Sequence, residues 1–308
     1  MKPFTQGSFA ELPLEPRRAH SYFDMEAREL QLETSGFGNV RVHVRFAGKG
    51  PPLLLVHGLM TSSYSFRYVL ELLGAHFRLI VPDLPGAGRS ERVPQREHSP
   101  TAFANLLSTL VDALAIRGCA ALGNSMGGYL CMHAALQDET LFGRLVNLHS
   151  PGLADARMNA LSIALSVPGI ETVLARLFGL SPKRFVHKNV HYYDESLKSL
   201  EEAEEYGSVL ADPAGAVCLV RYLREALGAA DMRLFEQQLR ERRDRGQAFP
   251  VPLLLVYADK DPMVPPAIGH RLKALCPDST FVKLADTSHF AHVDTPERLV
   301  SAVLPFLS

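Results

Sequence analysis

Strand-like and helix-like segments alternate along most of this chain of 308 residues. Residues 52–57 (PLLLVH) form a nearly continuous apolar run, which is typical of a strand covered on both faces of a parallel sheet. Because parallel strands are joined by crossover helices, the alternation predicts an α/β fold with a mostly parallel sheet and right-handed connections. The predicted strands are 28–34 and 40–46, which form a hairpin, and then 52–57, 77–82, 120–123, 144–149, 251–257 and 280–284. The predicted helices between these strands are 65–73, 102–114, 126–136, 265–275 and 296–307.

The alternation is interrupted once, after the strand at 144–149. From there to about residue 249 the pattern is helical, and strand character returns only at 251–257. We therefore expect a core split by a helical insertion. The predicted division is an N-terminal arm at 1–26, a core at 27–151 and 249–308, and an insertion at 152–248. The predicted helices of the insertion are 154–167, 170–178, 194–205, 215–227 and 232–245.

Charge and cysteine usage exclude several classes of function. The chain carries 32 basic and 33 acidic residues, so its net charge provides no field that would attract nucleic acid or an anionic membrane. Its four cysteines form no CxxC pair, which gives no support to a zinc site, and we expect no cofactor. Cysteines in apolar stretches favour a reducing, cytoplasmic location. No apolar run reaches the roughly 18 residues of a membrane span, and residues 1–18 lack the apolar core of a signal peptide.

The segment Gly123-Asn-Ser-Met-Gly127 has the pattern G-x-S-x-G between a predicted strand and a predicted helix. Such a turn presents its serine at a strained tip, which leaves no room for side chains two positions before and after it. The helix that follows favours negative charge developing near the serine. Three fixed positions alone recur by chance, but the strand, turn and helix all lie where the chemistry requires them. Ser125 is therefore the predicted nucleophile.

A nucleophilic serine needs backbone N–H groups that stabilise the oxyanion formed by its attack. One should come from Met126, immediately after the nucleophile. The other should come from the loop at 57–60 (HGLM), where Leu59 is the predicted donor and Met60 the next candidate. We expect His57, at the start of this loop, to be a structural histidine.

An acid and a base are predicted from two later loops. Asp261 follows the strand at 251–257, and His289 follows the strand at 280–284. A carboxylate bonded to an imidazole fixes the tautomer of the ring and stabilises its protonated form. Asp259 and His292 are the competing residues, and either aspartate could instead cap the next helix. The chain order Ser125, Asp261, His289 is the order found with nucleophile elbows of this kind.

Together these motifs resemble the α/β-hydrolase family over residues 35–308 outside the insertion. Asp83-Leu-Pro-Gly-Ala-Gly-Arg-Ser90 and the His-x-x-His pattern at His289 add to the resemblance. It implies an eight-stranded, mostly parallel sheet with a helical cap inserted after strand 6. Two positions depart from the family pattern, because Ala258 and Ser288 stand where glycine is usual.

Within this family the residues favour a capped carboxylesterase or lipase. Residues 57–67 resemble the equivalent loop of haloalkane dehalogenases, but those enzymes use an aspartate nucleophile, and this chain has no tryptophan to hold a halide. The elbow is similar to that of carbon–carbon bond hydrolases acting on ring-cleavage products, although their Gly-rich oxyanion loop is absent. We therefore expect hydrolysis of a small-molecule ester with an apolar acyl or alcohol group. The alternatives are a carbon–carbon bond hydrolase and a non-catalytic ligand receptor, and the oligomeric state stays open.

Overall fold

The computed structural model describes residues 3–308, and an eight-stranded sheet forms its centre. The strand order is β1-β2-β4-β3-β5-β6-β7-β8. The first two pairs, β1 with β2 and β2 with β4, are antiparallel, and the other neighbours are parallel. The strands are β1 (Glu26–Thr34), β2 (Gly38–Ala47), β3 (Pro52–Val56), β4 (Arg78–Pro82), β5 (Cys119–Asn124), β6 (Phe142–Leu148), β7 (Leu253–Ala258) and β8 (Thr280–Leu284). The predicted fold class is confirmed.

The apolar runs of the sequence become the buried centre of the sheet. In β3, Leu54 and Val56 pack into one hydrophobic core cluster, whereas Leu53 and Leu55 pack into a second. Successive side chains of a strand point to opposite faces, so a strand covered on both faces must be apolar at every position. The sheet is therefore covered by helices on both sides.

Six helices belong to the core and six to the insertion after β6. The core helices are α1 (Leu70–Gly74), α2 (Pro100–Ala113), α3 (Met126–Gln137), α10 (Pro266–Leu275), α11 (Ala291–Asp294) and α12 (Pro296–Leu307). The insertion contains α4 (Ala156–Leu165), α5 (Ile170–Leu180), α6 (Pro182–Asn189), α7 (Leu200–Ala211), α8 (Pro213–Arg221) and α9 (Ala229–Asp244). No single helix within residues 3–308 is long and apolar enough to cross a membrane, although α4 and α5 would reach that length as a pair bent by 101°.

Two predicted helices begin later than the sequence pattern indicated. The segment predicted at 65–73 is a 3₁₀ turn at Ser63–Phe66 followed by the short α1, and the N–H of Ser63 at the start of the turn donates to Asp83 at 2.7 Å. The helix predicted from residue 194 begins at Leu200, since Ser199 caps α7 by accepting from the N–H of Glu202. Asp194 instead caps a separate 3₁₀ turn. Helix α6 was not predicted.

Buried polar contacts join one side of the insertion to the core. Arg67, which is 1% exposed, donates to Glu202 of α7 at 2.5 Å, and the hydroxyl of Tyr192 donates to the same oxygen. Nearby, Arg89 makes two hydrogen bonds to the carboxylate of Glu205 at 2.8 and 2.9 Å. The buried pair of Arg67 and Glu202 is costly to break because separation would leave an uncompensated charge. Helix α7 is thus firmly fixed to the core.

The N-terminal segment lies against the insertion. The N–H of Phe4 donates to the carbonyl of Tyr193 at 3.2 Å, and the N–H of Leu200 donates to the carbonyl of Pro13 at 2.8 Å. The first two positions of the predicted arm lie outside the described residues. Before the chain enters β1 it also contacts the core, where the hydroxyl of Tyr22 lies 2.8 Å from Oγ of Ser63.

Candidate active site

Ser125 lies between β5 and α3 in a strained backbone conformation. Its φ of 53° and ψ of −121° fall in a region that residues other than glycine rarely adopt. Its N–H donates to the carbonyl of Leu148 at the end of β6, at 2.7 Å, so the neighbouring strand holds the turn in place. The serine begins α3 without a side-chain capping bond. Its hydroxyl therefore stays available for chemistry.

The glycines of the turn are required by close approach. A Cβ at Gly123 would lie 2.5 Å from the carbonyl carbon of Gly127, and one at Gly127 would lie 2.5 Å from the carbonyl oxygen of His57. Real Cβ atoms are essentially never found this close to other heavy atoms, so side chains at either position would push the turn apart. These contacts give the physical basis of the G-x-S-x-G pattern.

The loop after β3 lies directly against Ser125. A Cβ built on Gly58 would approach the Cβ of Ser125 to 3.0 Å. The next residue, Leu59, lines the same cavity as Ser125, and its N–H makes no hydrogen bond within residues 3–308. Met126 is the first residue of α3, so its N–H has no partner within the helix. Two free backbone donors therefore flank the serine, which is the arrangement expected of an oxyanion hole.

Asp261 and His289 are directly bonded. Nδ1 of His289 donates to Oδ2 of Asp261 at 2.7 Å, and Oδ1 of Asp261 accepts from the N–H groups of Met263 and Val264, each at 2.8 Å. Burial alone would raise the pKa of Asp261, but the charge of His289 and its hydrogen bond hold that pKa below the ordinary value. The aspartate is thus an ionised acceptor that leaves Nε2 of His289 free to accept a proton.

Ser125 and His289 line one cavity, although the hydroxyl and the ring are not yet bonded. Within residues 3–308 no hydrogen bond joins Oγ of Ser125 to the imidazole. Catalytic hydrogen bonds are often long before substrate binds and tighten in the complex. The predicted residues are brought together, and their catalytic roles stay predictions.

The competing residues have other surroundings. Oδ2 of Asp259 faces Lys260 at 3.7 Å, and its Oδ1 is buried without a partner among residues 3–308. His292 is fully buried, and burial lowers its pKa well below the ordinary value. Nε2 of His57 accepts from the N–H of Leu84 at 2.9 Å, so this ring nitrogen is engaged in a structural hydrogen bond between two loops. Neither Asp259 nor His292 makes the bond that joins Asp261 to His289.

His149 is a close neighbour of the site that sequence reasoning missed. It follows β6 with a φ of 56°, and its Nδ1 accepts from the N–H of Ala258 at 3.1 Å. The same Nδ1 lies 3.6 Å from Oδ2 of Asp261, but burial lowers the pKa of His149 to about 3, so this is a contact with a neutral ring. Only the pairing of β6 with β7 brings the two together, so no local sequence signal could have revealed it.

Ser288, one of the departures from the family pattern, anchors the loop of His289. Its N–H and its hydroxyl both donate to Oδ2 of Asp294, at 2.8 and 2.5 Å. Asp294 also accepts from the N–H of Tyr193 in the insertion at 2.9 Å. Burial raises the pKa of Asp294 to about 6. The serine therefore fixes the histidine loop through a carboxylate shared with the insertion.

A cavity of about 170 Å³ lies above Ser125, between the core and the insertion. Its walls are mostly apolar, and they include Leu153, Met158, Leu161, Leu227, Ile268 and Phe290. The polar side chains of Asn124, Asp155 and Arg157 also reach it. Residues 3–308 contain no group of three or more His, Cys, Asp or Glu side chains that could hold a metal ion. The site can therefore take an apolar molecule beside a serine, an imidazole and two free amides.

Known proteins resemble this chain over most of its length. An uncharacterized hydrolase of Bacillus subtilis, YugF, is 28% identical over 257 residues, which cover 83% of this chain and 89% of that protein. Haloalkane dehalogenase 2 of Mycobacterium tuberculosis is 28% identical over 268 residues, covering 86% and 90% of the two chains. A thermophilic esterase of Thermogutta terrifontis superposes with a TM-score of 0.73 at 23% identity, covering 91% of this chain and 98% of that one. At 23% identity, the similarity to the Thermogutta terrifontis esterase shows a shared fold alone.

The family itself is shown by a match to residues 51–296, described as the alpha/beta hydrolase fold. These residues contain the elbow at Ser125, both later loops and the entire insertion. The predicted family and the predicted hydrolase class are confirmed at this level. The chain therefore belongs to the α/β-hydrolase fold family.

Proposed function

We propose that this protein is a serine hydrolase that cleaves a carboxylic ester of a small or medium apolar substrate. The observation that carries the proposal is the 2.7 Å bond between His289 and Asp261 beside the cavity that Ser125 lines. An imidazole oriented by a carboxylate can take the proton of a serine hydroxyl, and this combination activates serine for attack on an acyl carbonyl.

The proposed reaction has two stages. Nε2 of His289 accepts the proton of Ser125 as Oγ attacks the carbonyl carbon, and the protonated ring then gives that proton to the departing alcohol. Water, deprotonated by the same ring, then attacks the acyl-enzyme, and the ring returns this proton to Oγ of Ser125 as the bond between Oγ and the acyl carbon breaks and the acid is released. Asp261 keeps the imidazole in the required tautomer throughout and stabilises its protonated form.

The backbone N–H groups of Leu59 and Met126 are the proposed oxyanion donors. Neither makes another hydrogen bond among the residues that the structure describes, 3–308, and both belong to segments in contact with Ser125. Losing one such donor typically costs about 3 kcal/mol of transition-state stabilisation. The contact between Gly58 and Ser125 supports this role, because a displaced loop would move the N–H of Leu59 away from the reacting carbonyl.

The substrate class is inferred from the cavity. Met158, Leu161 and Leu227 of the insertion face Ile268 and Phe290 of the core across it, so an apolar acyl or alcohol group would be sheltered from water. We propose that residues 152–248 are a cap that selects the substrate, on a core formed by 27–151 and 249–308. Asp155 and Arg157 then supply polar contacts at its edge.

The test is turnover of p-nitrophenyl esters of increasing acyl length by the purified full chain. We expect hydrolysis with a preference for apolar acyl groups, and a loss of about 10⁴-fold or more in kcat for Ser125→Ala. The matched control is Ser208→Ala, which removes an exposed hydroxyl from α7 and should leave turnover unchanged.

Two outcomes would contradict the ester assignment. Turnover of a ring-cleavage dienoate without turnover of any ester would favour carbon–carbon bond hydrolysis at the same serine. Absence of turnover on all substrates, together with saturable binding of an apolar ligand, would favour a receptor. The folding of each variant is checked by its thermal transition, so that a loss of activity is not mistaken for a loss of structure.

A further inference from the structure

The outer surface of the insertion is unusually apolar around α4 and α5. Among residues 3–308, nine large apolar side chains are exposed, and five of them lie within one stretch of 18 residues. These five define the α4–α5 surface, and each is 52 to 76% exposed: Ile163, Val167, Val173, Leu177 and Leu180. Exposed apolar residues scattered singly need no explanation, whereas a larger exposed apolar patch marks a binding surface, and three of these five lie on the one helix α5.

Packing within the insertion does not account for this surface. The inner side of α5 already packs through Ala175, Leu174 and Phe178 against α8. On the opposite side, Val173, Leu177 and Leu180 follow one another at helical spacing and stay in solvent. Apolar residues on two opposite sides of a helix normally mean that both sides are buried, so the outer face of α5 lacks a partner within residues 3–308.

Basic side chains are in excess in the helices that form and follow the α4–α5 surface. Residues 155–190 carry five basic and two acidic side chains, although basic and acidic residues nearly balance over the whole chain. Arg157, Arg176 and Lys188 are exposed and make no ion pair within residues 3–308. Arg176 lies one helical turn before Leu180, so these two side chains share a helix face by spacing. The balanced total charge conceals this local excess.

The other charged groups of the region are already engaged. Lys183 pairs with Glu204, and Arg184 lies over the ring of Phe9 at 5.6 Å. The acidic Glu171 is held by Arg224 at 2.8 Å and by Arg221 at 3.5 Å. The acidic group nearest α5 is therefore neutralised. The other acidic residue, Asp155, accepts from the N–H of Met158 at 2.8 Å as the cap of α4 and makes no ion pair within residues 3–308, so three unpaired cations stand against one unpaired carboxylate.

We propose that the α4–α5 surface docks onto an anionic lipid bilayer. Apolar side chains that enter the headgroup region, bordered by basic residues that contact lipid phosphates, are the two features of interfacial helices. The helices lie on such a surface and do not cross it, because α4 has 10 residues and α5 has 11. Long basic side chains can keep their charge at the headgroups while their stems cover apolar surface.

A second copy of the chain fits this surface less well. A two-fold contact brings the same patch of both copies together, so the unpaired cations Arg157, Arg176 and Lys188 of both copies would be gathered at one interface. Like charges brought together in this way oppose association, whereas anionic lipid neutralises them. The unpaired basic side chains therefore favour an anionic bilayer over a second copy of the chain as the partner of the α4–α5 surface.

Docking through the α4–α5 surface would place the bilayer close to the cavity above Ser125. Met158 and Leu161 of α4 line that cavity, while Ile163 of the same helix lies on the exposed side. A bilayer covering the outer face of α4 would lie next to a wall of the candidate site. Docking itself does not depend on the proposed ester hydrolysis, so the two can fail independently.

The experiment is co-sedimentation of the purified full chain with vesicles. We expect binding to mixed phosphatidylcholine–phosphatidylglycerol vesicles, weaker binding to phosphatidylcholine alone, and a decrease as salt rises. Leu177→Glu combined with Leu180→Glu should weaken binding by about tenfold or more. The matched control is Leu234→Glu, which changes an equally exposed leucine on α9 and should bind as the wild type does.

A second pair of variants tests the charge. Arg176→Glu combined with Lys188→Glu should weaken binding to the anionic vesicles by about tenfold or more, whereas Lys49→Glu on the far loop should not. If the leucine double variant loses its thermal transition, Leu180→Glu alone replaces it. Absence of vesicle binding, or equal loss in Leu234→Glu, would overturn the proposal. So would a wild-type dimer in sedimentation velocity that the leucine variant converts to monomer, because the surface would then be covered by a second copy.

Discussion

Oδ2 of Asp261 lies 2.7 Å from Nδ1 of His289, although 28 residues separate them in the chain. The loops after β7 and β8 meet because these strands are parallel neighbours, with Ala258 opposite Leu284. The carboxyl ends of both strands therefore open on the same edge of the sheet, beside the end of β5 that carries Ser125. The bond fixes which nitrogen of His289 can accept a proton.

Asp261→Asn should leave the fold intact and lower kcat for ester hydrolysis by about 10⁴-fold. An amide in place of the carboxylate can hold the ring in the wrong tautomer and cannot stabilise its protonated form. The matched control is Asp259→Asn, since Asp259 makes no bond to His289 within residues 3–308. Equal losses in both variants would contradict the assignment of Asp261.

His149→Phe should lower kcat more than it changes KM. The substitution keeps an aromatic ring but removes the acceptor of the Ala258 N–H, which leaves a buried donor unpaired at about 1–3 kcal/mol. Because Ala258 ends the strand that leads to Asp261, the carboxylate should lose part of its alignment. Steady-state kinetics with urea unfolding as a companion measurement test this. Lower stability with unchanged kcat would assign His149 a purely structural role.

Gly127→Ala should destabilise the protein by about 1–3 kcal/mol, as expected for overpacking. The new methyl group would collide with the backbone oxygens of Val56 and His57. Gly179→Ala is the matched control, because its Cβ would meet only the carbonyl oxygen of Leu210 at 3.5 Å, an ordinary contact. Replacing a glycine inside α5 by alanine should be neutral or slightly stabilising. Urea unfolding of both variants measures the difference, and equal stabilities would contradict the close-approach argument.

The sequence predicts the elbow well because the residue types that it requires stand together in one short motif, although Gly127 is also required by its contact with the distant loop at His57. The glycines Gly123 and Gly127 indicate positions where the backbone is closely approached, and the apolar runs of β3 and β7 indicate strands that are buried on both faces. The 3₁₀ turn at Ser63–Phe66 was missed, and the first N–H of that turn, on Ser63, donates to Asp83, a partner 20 residues away in the sequence. His149 was missed as well. A residue whose role depends on strand pairing cannot be recognised from the residues next to it in the sequence.

His133→Phe should reduce the loss of stability at acid pH. Burial lowers the pKa of His133 to about 4, whereas an unfolded histidine titrates near about 6.5. Between these values the unfolded chain binds more protons, so the free energy of unfolding falls as pH drops from about 6.5 to 4, by at most about 1.4 kcal/mol per pH unit for this group. The ring stacks on Phe235 at 4.9 Å, a contact that phenylalanine can keep.

Urea unfolding at a series of pH values compares this variant with the wild type. The variant should show a shallower pH dependence over the window from about pH 6.5 to 4. Parallel curves for the two proteins would mean that His133 is protonated equally in the folded and unfolded states, which contradicts its burial.

The central claim is that Ser125 is a nucleophile activated by His289. Incubation with a fluorophosphonate followed by intact-protein mass spectrometry and peptide mapping tests it most directly. We predict a single adduct on Ser125 in the wild type, much slower labelling in His289→Ala, and no adduct in Ser125→Ala. A wild-type protein that stays unlabelled while correctly folded, or an adduct that persists in Ser125→Ala, would contradict the account.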